Sequence, residues 1–543
     1  MKYRFLTYIK RDFNIWSILT LAIIGFISVP IFTVLLQLFE GPGETWTHIV
    51  ENLLADYTLN SVILILGCSF LTLIFGVSSA WIVSRYNFVF RKQIEWLLIV
   101  PLAIPSYITA YTYAGFFDYG GTFQYVTKSI GFGALRFDIM TLSGLIFILS
   151  ISTYPYVYLS SRAVFLYQSA RLIEASKVLG ASERKTFFKI VLPIARPAIV
   201  GGLILVIMEV LNDYGAAQYY GVNTFTTGIF RAWFSLEEPS TAIYLSAILL
   251  IVVFICIGLE RLQRGSKNFA FSLKNGGDLH RLTISNKKRF ILYLIVGFPI
   301  VFGFILPCLQ LVYWSYLTFY SVASKDFFIT ALQSLGIAFL AALLTTLLAL
   351  LSLYFPNWNR LSVLKKSSRV AVLGYAMPGA IIAIGVMIPL LSVDKWLISV
   401  FKIHLNLDIG FVINGTILLL LYAYSIRFLA VAFNPIEAGQ LKLNKSLTEV
   451  SQLLGKGKLK SFLNVELPLL KFSITGAFIL VFVDIMKELP LTLILKPYNL
   501  NTLAVKAYEY ASDELIMEAA LPSLCIIATG IIPVILLNRL ILK

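Results

Sequence analysis

The sequence carries little charge for its length. Of its 543 residues only 13% are Asp, Glu, Lys or Arg, whereas 58% are hydrophobic. A soluble globular chain has about 25% charged residues. So little charge cannot cover the surface of a soluble domain of this size, and the composition therefore indicates a membrane protein.

The residue types that build most enzyme centres are also scarce. The three histidines, His48, His280 and His404, lie far apart, and the four cysteines form no CxxC pair. A metal site is therefore not expected. The chain has no GxxxxGK[ST] motif, and GKGK at 455–458 lacks the spacing to cradle a phosphate. We expect no catalytic residue and no cofactor bound by this chain.

Long apolar runs make up most of the remaining sequence. A run of about 20 residues crosses a hydrocarbon core of about 30 Å as a helix, which satisfies its own backbone polar groups in lipid. The sequence predicts an all-α, polytopic membrane protein, with no cleavable signal peptide because the first run is too long for one. Its twelve predicted spans are 16–39, 59–84, 94–116, 140–161, 197–217, 240–262, 290–318, 331–355, 370–393, 411–433, 473–495 and 519–541.

Positive charge is concentrated in alternate loops between these spans. The net charge is +16, and 34 of the 44 Lys and Arg residues fall in the termini and in the loops on the same side as the termini. The positive-inside rule predicts that this side, with both termini, is cytoplasmic. The charge is therefore explained by membrane topology, and a nucleic-acid partner is not expected.

The sequence repeats itself at an offset of 273 to 275 residues. Each predicted half has an even number of spans, so both halves face the same way in the membrane. We expect a first half at 1–262, a polar and basic cytoplasmic linker at 263–289, and a second half at 290–543. The matching blocks are 60–76 with 333–349, 174–193 with 449–468, and 199–215 with 474–490.

The most polar of the repeated blocks follows the fourth span of each half. EASKVLGASERKTFFKIVLP (174–193) and EVSQLLGKGKLKSFLNVELP (449–468) share a Glu, a Gly six residues later and a final Leu-Pro. The pattern predicts a short helix, a turn at Gly180 or Gly455 and a second helix that leads into the next span. A single copy would fit a solvated interfacial helix. Two copies at identical spacing favour a partner surface that is used twice.

This block resembles the EAA loop of ABC importer permeases, Glu-Ala-x4-Gly-x9-Ile-x-Leu-Pro. The first copy matches throughout, and the second has Val450 for the Ala and Val465 for the Ile. In that family the first short helix is the coupling helix, which docks on a cytoplasmic ATPase. The resemblance implies two copies of a separate ATPase chain, which binds the ATP and Mg. The implied docking residues are Glu174, Ala175, Gly180, Glu449 and Gly455.

Acidic residues concentrate in the fifth and eleventh spans. Charge at membrane depth costs about 2.5–3.5 kcal/mol per residue, so it predicts a functional site. Each pair is spaced i, i+4, which predicts that both carboxylates lie on one helical face. Tyr214 adds a phenolic oxygen, and such oxygens suit a highly charged cation that is released easily, without a tight metal site. The predicted pathway carboxylates are Glu209, Asp213, Asp484 and Glu488.

Other interpretations of these residues remain open. The carboxylates can instead hold the bundle together by pairing with Lys487 or Arg231. Pro105 and Pro378, each in the third span of its half, should break their helices and shape a pathway or gate, or form tolerated kinks.

Further strings resemble the fused, two-half permeases of ferric-iron importers over nearly the whole chain. The resemblance implies a type I ABC importer in a bacterial inner membrane, working by alternating access with an extracytoplasmic iron(III)-binding protein. Permeases for thiamine, phosphonates or polyamines share this layout. A secondary transporter and a membrane enzyme or scaffold are the competing interpretations. The strings are PLAIPSYITAYTYAGFFDYGG (101–121), LGYAMPGAIIAIGVMIPL (373–390), IRFLAVAF (426–433), DIMKELPLTL (484–493) and LAVKAYEYASDELIMEAALP (503–522).

Overall fold

The fold is helical nearly throughout. The structure, a computed structural model, describes residues 14–131, 137–167, 176, 178–264, 281–283, 286–358, 364, 374, 377–408 and 410–541. Within these ranges the strands are Tyr86–Asn87 and Leu282–Thr283, which pair in parallel. The predicted all-α class is confirmed.

Each of the twelve predicted spans has a counterpart among the described helices. Eight helices are long and apolar enough to cross a membrane, or eleven if each of three bent pairs is taken as one span. The twelfth predicted span falls on Ala520–Ile541. The eight are Ile15–Gln37, Leu54–Arg85, Leu142–Leu166, Glu183–Asn212, Pro239–Cys256, Arg289–Val322, Lys325–Trp358 and Gly379–Leu405.

Three apolar helical stretches are bent at short breaks. The third span bends by 91° between Arg91–Ala103 and Ser106–Ser129, around Pro105. The tenth bends by 47° at Phe428. The helices on either side of Leu470, just before the eleventh predicted span, are bent by 74°. The sequence predicted the break at Pro105 from the proline. It did not predict the break at Phe428, because apolar periodicity continues across it.

The contacts divide the chain into two compact units. Unit I contains residues 14–43, 239–247 and 325–505. Unit II contains residues 44–238, 248–324 and 506–541, as far as each range is described. Unit I therefore groups the first span with spans eight to eleven, and unit II groups spans two to five with spans seven and twelve. The predicted halves and linker are defined by sequence repetition and stay a prediction.

Unit I is built from long helices joined by short ones. The first span begins at Asn14, whose side chain accepts a hydrogen bond of 3.2 Å from the backbone of Ser17. The helices are Ile15–Gln37, Lys325–Trp358, Gly379–Leu405, Ile417–Arg427, Leu429–Lys442, Lys445–Leu453, Lys458–Ser461, Leu467–Leu469, Lys471–Met486 and Pro490–Leu495, with a π-helical turn at Phe462–Glu466.

Unit II contains an apolar core that includes Leu64, Tyr154 and Val206. Two helices begin in unit I and end in unit II: Pro239–Arg264 and Leu503–Ser512. The helices are Trp46–Asn52, Leu54–Arg85, Arg91–Leu97, Ser106–Phe117, Thr122–Ser129, Leu142–Tyr167, Glu183–Thr186, Leu192–Asn212, Gly215–Tyr219, Phe225–Phe230, Asn286–Ile300, Leu306–Val322 and Ala520–Ile541, with a 3-10 turn at Val100–Ala103 and π-helical turns at Phe187–Val191, Arg231–Ser235 and Val301–Ile305.

Close helix packing in unit II depends on small residues. A Cβ on Gly76 would lie 2.8 Å from the Cβ of Val157, and a Cβ on Gly202 would lie 2.8 Å from the carbonyl oxygen of Tyr156. The backbones of spans two, four and five therefore lie close together at these two glycines, as helices in membranes do at small residues.

Matched contacts in the two units follow the sequence repeat. Thr72 donates to the carbonyl of Cys68 at 2.7 Å, and Thr345 donates to that of Ala341 at 2.6 Å. Both pairs of numbers differ by 273. Spans two and eight therefore share this side-chain hydrogen bond at matched positions of the repeat.

Candidate functional site

The second polar block, residues 449–468, forms an elbow of two short helices. Asn444 caps helix Lys445–Leu453 by accepting from the backbone of Ser446 at 3.2 Å. The chain then turns at Gly455, whose φ is +82°. Helix Lys458–Ser461 follows and continues through the π-helical turn to Leu469. We call residues 449–468 the second elbow.

The first elbow, residues 174–193, repeats this geometry where it is described. Glu174 and Ala175 lie outside the described residues. Gly180 has a φ of +75°, and the π-helical turn Phe187–Val191 starts 275 residues before its counterpart at Phe462. A positive φ is strained for residues with a Cβ, which explains the glycine in both turns.

Each elbow is closed by a pair of hydroxyl groups. Ser176 and Thr186 lie 3.0 Å apart in the first elbow, and Ser451 and Ser461 lie 2.9 Å apart in the second. All four hydroxyl-bearing residues are buried. A buried hydrogen bond between the two arms fixes their angle, so each elbow forms one rigid piece.

A backbone hydrogen bond closes each turn a second time. The amide of Ala181 donates to the carbonyl of Ser176 at 2.9 Å, and that of Lys456 donates to Ser451 at 3.2 Å. The two donors differ by 275 in number, as do the two acceptors. The turn itself is therefore also repeated.

The tip of each elbow presents two exposed aliphatic residues before its glycine. Val178 and Leu179 are 88% and 85% exposed, and Leu453 and Leu454 are 87% and 78% exposed. Glu449 is exposed on the same helix as Leu453. A rigid tip with matched aliphatic side chains is suited to insertion into an apolar cleft of a partner.

The carboxylate of Asp213 lies just beyond the fifth span. Helix Leu192–Asn212 ends before it, and the residue is extended. Its Oδ1 accepts from the backbone amides of Ala216 at 2.9 Å and Ala217 at 3.3 Å, and its Oδ2 accepts from the hydroxyl of Ser106. Asp213 thus caps helix Gly215–Tyr219 and ties it to the helix that follows Pro105.

The carboxylate of Glu488 holds the matching place in unit I. It follows helix Lys471–Met486, and its Oε1 accepts from the amide of Leu491 at 3.1 Å. Its Oε2 lies 3.2 Å from Nε of Arg427, and Nη1 of Arg427 donates to the carbonyl of Met377 at 3.0 Å. Glu488 is therefore neutralised by a buried cation.

The other two predicted pathway carboxylates have their own contacts. Glu209 accepts from the hydroxyl of Tyr156 at 3.2 Å. Asp484 lies 2.8 Å from Nζ of Lys487, which is one of the pairings proposed from sequence. In the described part of the chain, no group of three or more His, Cys, Asp or Glu side chains is arranged to hold a metal ion.

The expectation that each acidic pair shares one helical face was wrong. The fifth span ends at Asn212 and the eleventh at Met486, so Asp213 and Glu488 each lie past the last helical turn. In both places the carboxylate caps the short helix that comes next, which requires the chain to leave the first helix. Glu209 and Asp213 belong to unit II, and Asp484 and Glu488 to unit I; a site shared by all four stays a prediction.

Tyr214 lies among aromatic rings beside Asp213. It stacks on Phe230 with ring centroids 3.6 Å apart, and its centroid is 6.1 Å from that of Tyr508. Burial raises the pKa of Tyr214, and burial raises the pKa of Tyr219 to about 12. Both phenols are therefore protonated at neutral pH and offer neutral hydroxyl groups.

Both predicted helix-breaking prolines stand directly before a helix. Pro105 precedes helix Ser106–Phe117, and Pro378 precedes helix Gly379–Leu405. A Cβ on Gly379 would lie 2.7 Å from Oε1 of Glu488. The residue after each proline therefore touches the capping carboxylate of its unit; a role in gating stays a prediction.

Sequence reasoning missed Arg427 and the four hydroxyl residues of the elbows. Arg427 was visible as a charge inside the tenth apolar run. Ser176, Thr186, Ser451 and Ser461 are spaced i, i+10 in both copies, and this shared spacing was the available signal.

The fold and these paired sites define a class of protein, a multi-pass helical membrane protein in which one pattern of contacts occurs twice. The family model "Binding-protein-dependent transport system inner membrane component" matches residues 72–266 and again 363–543. The chain belongs to this family, and it is a fused, two-half permease of an ABC importer in an inner membrane.

Named relatives transport different substrates. The chain is 26% identical over 530 residues to the Fe(3+)-transport system permease protein FbpB 2 of Haemophilus influenzae, covering 96% of this chain and 98% of the relative. It is 25% identical over 246 residues to the sulfate transport system permease protein CysT of Escherichia coli, covering 43% of this chain and 86% of the relative. A probable sulfate permease of Chlorokybus atmophyticus is 28% identical over 37% of this chain and 72% of its own length.

Proposed function

We propose that the chain is the membrane pathway of a ferric-iron importer. The observation that carries this proposal is the similarity to an Fe(3+) permease, which runs through both halves and 98% of that relative's length. The similarity to the sulfate permease of Escherichia coli covers 43% of this chain. The carboxylates of Glu209 and Asp213 near the end of the fifth span also suit a cation better than an anion such as sulfate.

The proposed energy source is ATP bound with Mg by two copies of a separate ATPase chain. Each copy docks on one elbow and receives its aliphatic tip, Val178 and Leu179 or Leu453 and Leu454. The family name requires a substrate-binding protein, and we assign it to the extracytoplasmic face, with both chain termini in the cytoplasm. ATP binding draws the elbows together and opens the pathway outward; hydrolysis returns it inward.

Substrate identity is tested by uptake in a strain that lacks the chain. Cells with and without the restored gene are given labelled iron(III), sulfate, thiamine, phosphonate or a polyamine. We expect restored uptake of iron alone. Restored uptake of another substrate, with iron unchanged, would replace the iron assignment and leave the transporter class intact.

Docking is tested by co-purification with the ATPase. Two exposed-tip variants are compared, Leu453→Ser with Leu454→Ser, and Val178→Ser with Leu179→Ser, together with Glu174→Lys plus Glu449→Lys. Each pair should reduce the amount of ATPase recovered. Leu441→Ser is the matched control, because this leucine is 80% exposed but lies before the second elbow. Full recovery with all three variants would exclude the elbows as docking sites.

A further inference from the structure

Each elbow is fastened to the end of a second long helix. In unit II the first elbow contacts the end of Leu54–Arg85, the second span. In unit I the second elbow contacts the end of Lys325–Trp358, the eighth span. These contacts are separate from the chain connection between each elbow and the span that follows it.

An aromatic pair makes the first contact in each unit. The ring centroids of Trp81 and Phe187 lie 4.9 Å apart at an interplanar angle of 49°. Those of Tyr354 and Phe462 lie 4.3 Å apart at 51°. The span residues differ by 273 in number (81 and 354), and the elbow residues by 275 (187 and 462), which are the offsets of the sequence repeat.

A polar pair makes the second contact at equally matched positions. Arg85 has a side chain only 3% exposed, and its Nη2 lies 2.8 Å from Oε1 of Glu183, with Nε 3.3 Å from Oε2. In unit I, Nζ of Lys458 donates to the carbonyl oxygen of Trp358 at 2.7 Å. Residues 85 and 358 again differ by 273, and 183 and 458 by 275. The chemistry differs between units, but the positions joined are the same.

We propose that these contacts make the second and eighth spans move with the elbows when ATP binds. The inference rests on the proposed docking of the ATPase. The hydroxyl pair and the hydrogen-bonded turn hold the two arms of each elbow together. A displacement of the tip therefore moves the whole elbow, including the residues that contact the long helix. A buried Arg that loses its carboxylate is strongly disfavoured, so the span end follows the elbow. Arg85, Glu183 and Lys458 act here as positioning residues.

The two elbows differ in how they join the next span. The first continues without a large bend as the span Glu183–Asn212, whereas the second is bent by 74° relative to helix Lys471–Met486. In unit I a displacement of the elbow therefore reaches the eleventh span through a bend. The eighth span, in contrast, is in direct contact with the elbow. We expect Lys458→Met to impair transport, because it removes the hydrogen bond from Nζ to the carbonyl oxygen of Trp358.

A distance measurement tests the inference in the complete complex with its ATPase. Spin labels are placed at Val89, just after the second span, and at Phe188 in the elbow, both exposed positions. We expect the distance between the labels to be the same without nucleotide and with trapped ATP. Adding Arg85→Met with Glu183→Gln and Trp81→Ala should let the distance change on ATP binding. A distance that changes in the chain without these substitutions would overturn the inference.

Charge reversal supplies a second, functional test. Arg85→Glu or Glu183→Arg alone should lower uptake by about tenfold while the ATPase still co-purifies. The double swap should restore uptake, which a loss of folding would not allow. Lys402→Glu is the control, because it reverses the charge of an exposed residue that pairs with Asp408 at 3.7 Å and belongs to neither elbow. A swap that restores nothing would contradict the inference, whereas failure of the unmodified chain to bind the ATPase would instead overturn the proposed function on which it rests.

Discussion

Arg427 and Glu488 form an ion pair inside unit I, with Nε 3.2 Å from Oε2 and with 9% and 7% of their side chains exposed. In the matching place of unit II, the carboxylate of Asp213 is held by the hydroxyl of Ser106 and by backbone amides. The two copies of the permease unit thus hold a carboxylate beyond an inner span in two ways, one with a cation and one with neutral donors.

This difference predicts unequal costs of substitution. Arg427→Met leaves Glu488 buried without its cation, and removal of one partner of a buried pair costs about 3–5 kcal/mol. We expect a lower melting temperature in detergent, measured by size-exclusion chromatography of heated samples. Adding Glu488→Gln should recover most of the loss. Asp213→Asn, which keeps an acceptor for the same amides, should change the melting temperature much less; equal losses would contradict this explanation.

The glycine turns of the elbows predict a conformational effect at the tip. Gly180→Ala and Gly455→Ala introduce a Cβ into open space but at a φ of +75° and +82°. A left-handed conformation costs an L-residue about 1–2 kcal/mol, which equals roughly 5- to 30-fold in ATPase affinity. Gly457→Ala is the matched control, since it also meets open space but has a φ of −64°. Weaker binding in the control than in Gly455→Ala would argue against strain as the cause.

The close contacts of Gly379 predict what happens when this residue is replaced by the one at the matching position of unit II. Gly379→Ser reproduces the serine found at position 106 of unit II, but its Cβ would lie 2.7 Å from Oε1 of Glu488 and 3.1 Å from Nη1 of Arg427. Overpacking of this kind costs about 1–3 kcal/mol, so the melting temperature should fall. Gly476→Ala, in a helix with open space around it, should keep or raise stability. An unchanged Gly379→Ser protein would show that the site can relax.

The carboxylates near the fifth span predict a transport defect without a docking defect. Glu209→Gln with Asp213→Asn keeps the size of both side chains and an oxygen acceptor, but removes two negative charges. Iron uptake should fall by about tenfold, equal to about 1.4 kcal/mol, while ATPase co-purification is unchanged. Asp408→Asn, at an exposed acidic position, is the control. Normal uptake in the double variant would remove these residues from the pathway.

The apolar runs and their repetition by themselves determine much of this protein. Helices in lipid must satisfy their own backbone, so run length alone predicted twelve helical spans. Eight described helices, or eleven with the three bent pairs, are long and apolar enough to cross a membrane. The fixed spacing within the polar blocks located both elbows, because the turn at each left-handed glycine depends on local sequence. The repeat also paired Asp213 with Glu488 at the correct offset.

Long-range packing decided what the sequence did not. The break at Phe428 leaves no mark in apolar periodicity. The grouping of the first span with spans eight to eleven depends on contacts between residues far apart in the chain. The ion pairs Arg427–Glu488 and Arg85–Glu183 form only once their helices have packed. The position of one charged residue in the sequence does not indicate which residue it will pair with. The fifth span ends one residue before Asp213, so the predicted helical face with two carboxylates does not form. The carboxylate of Asp213 instead caps the short helix that follows, whose first amides need an acceptor.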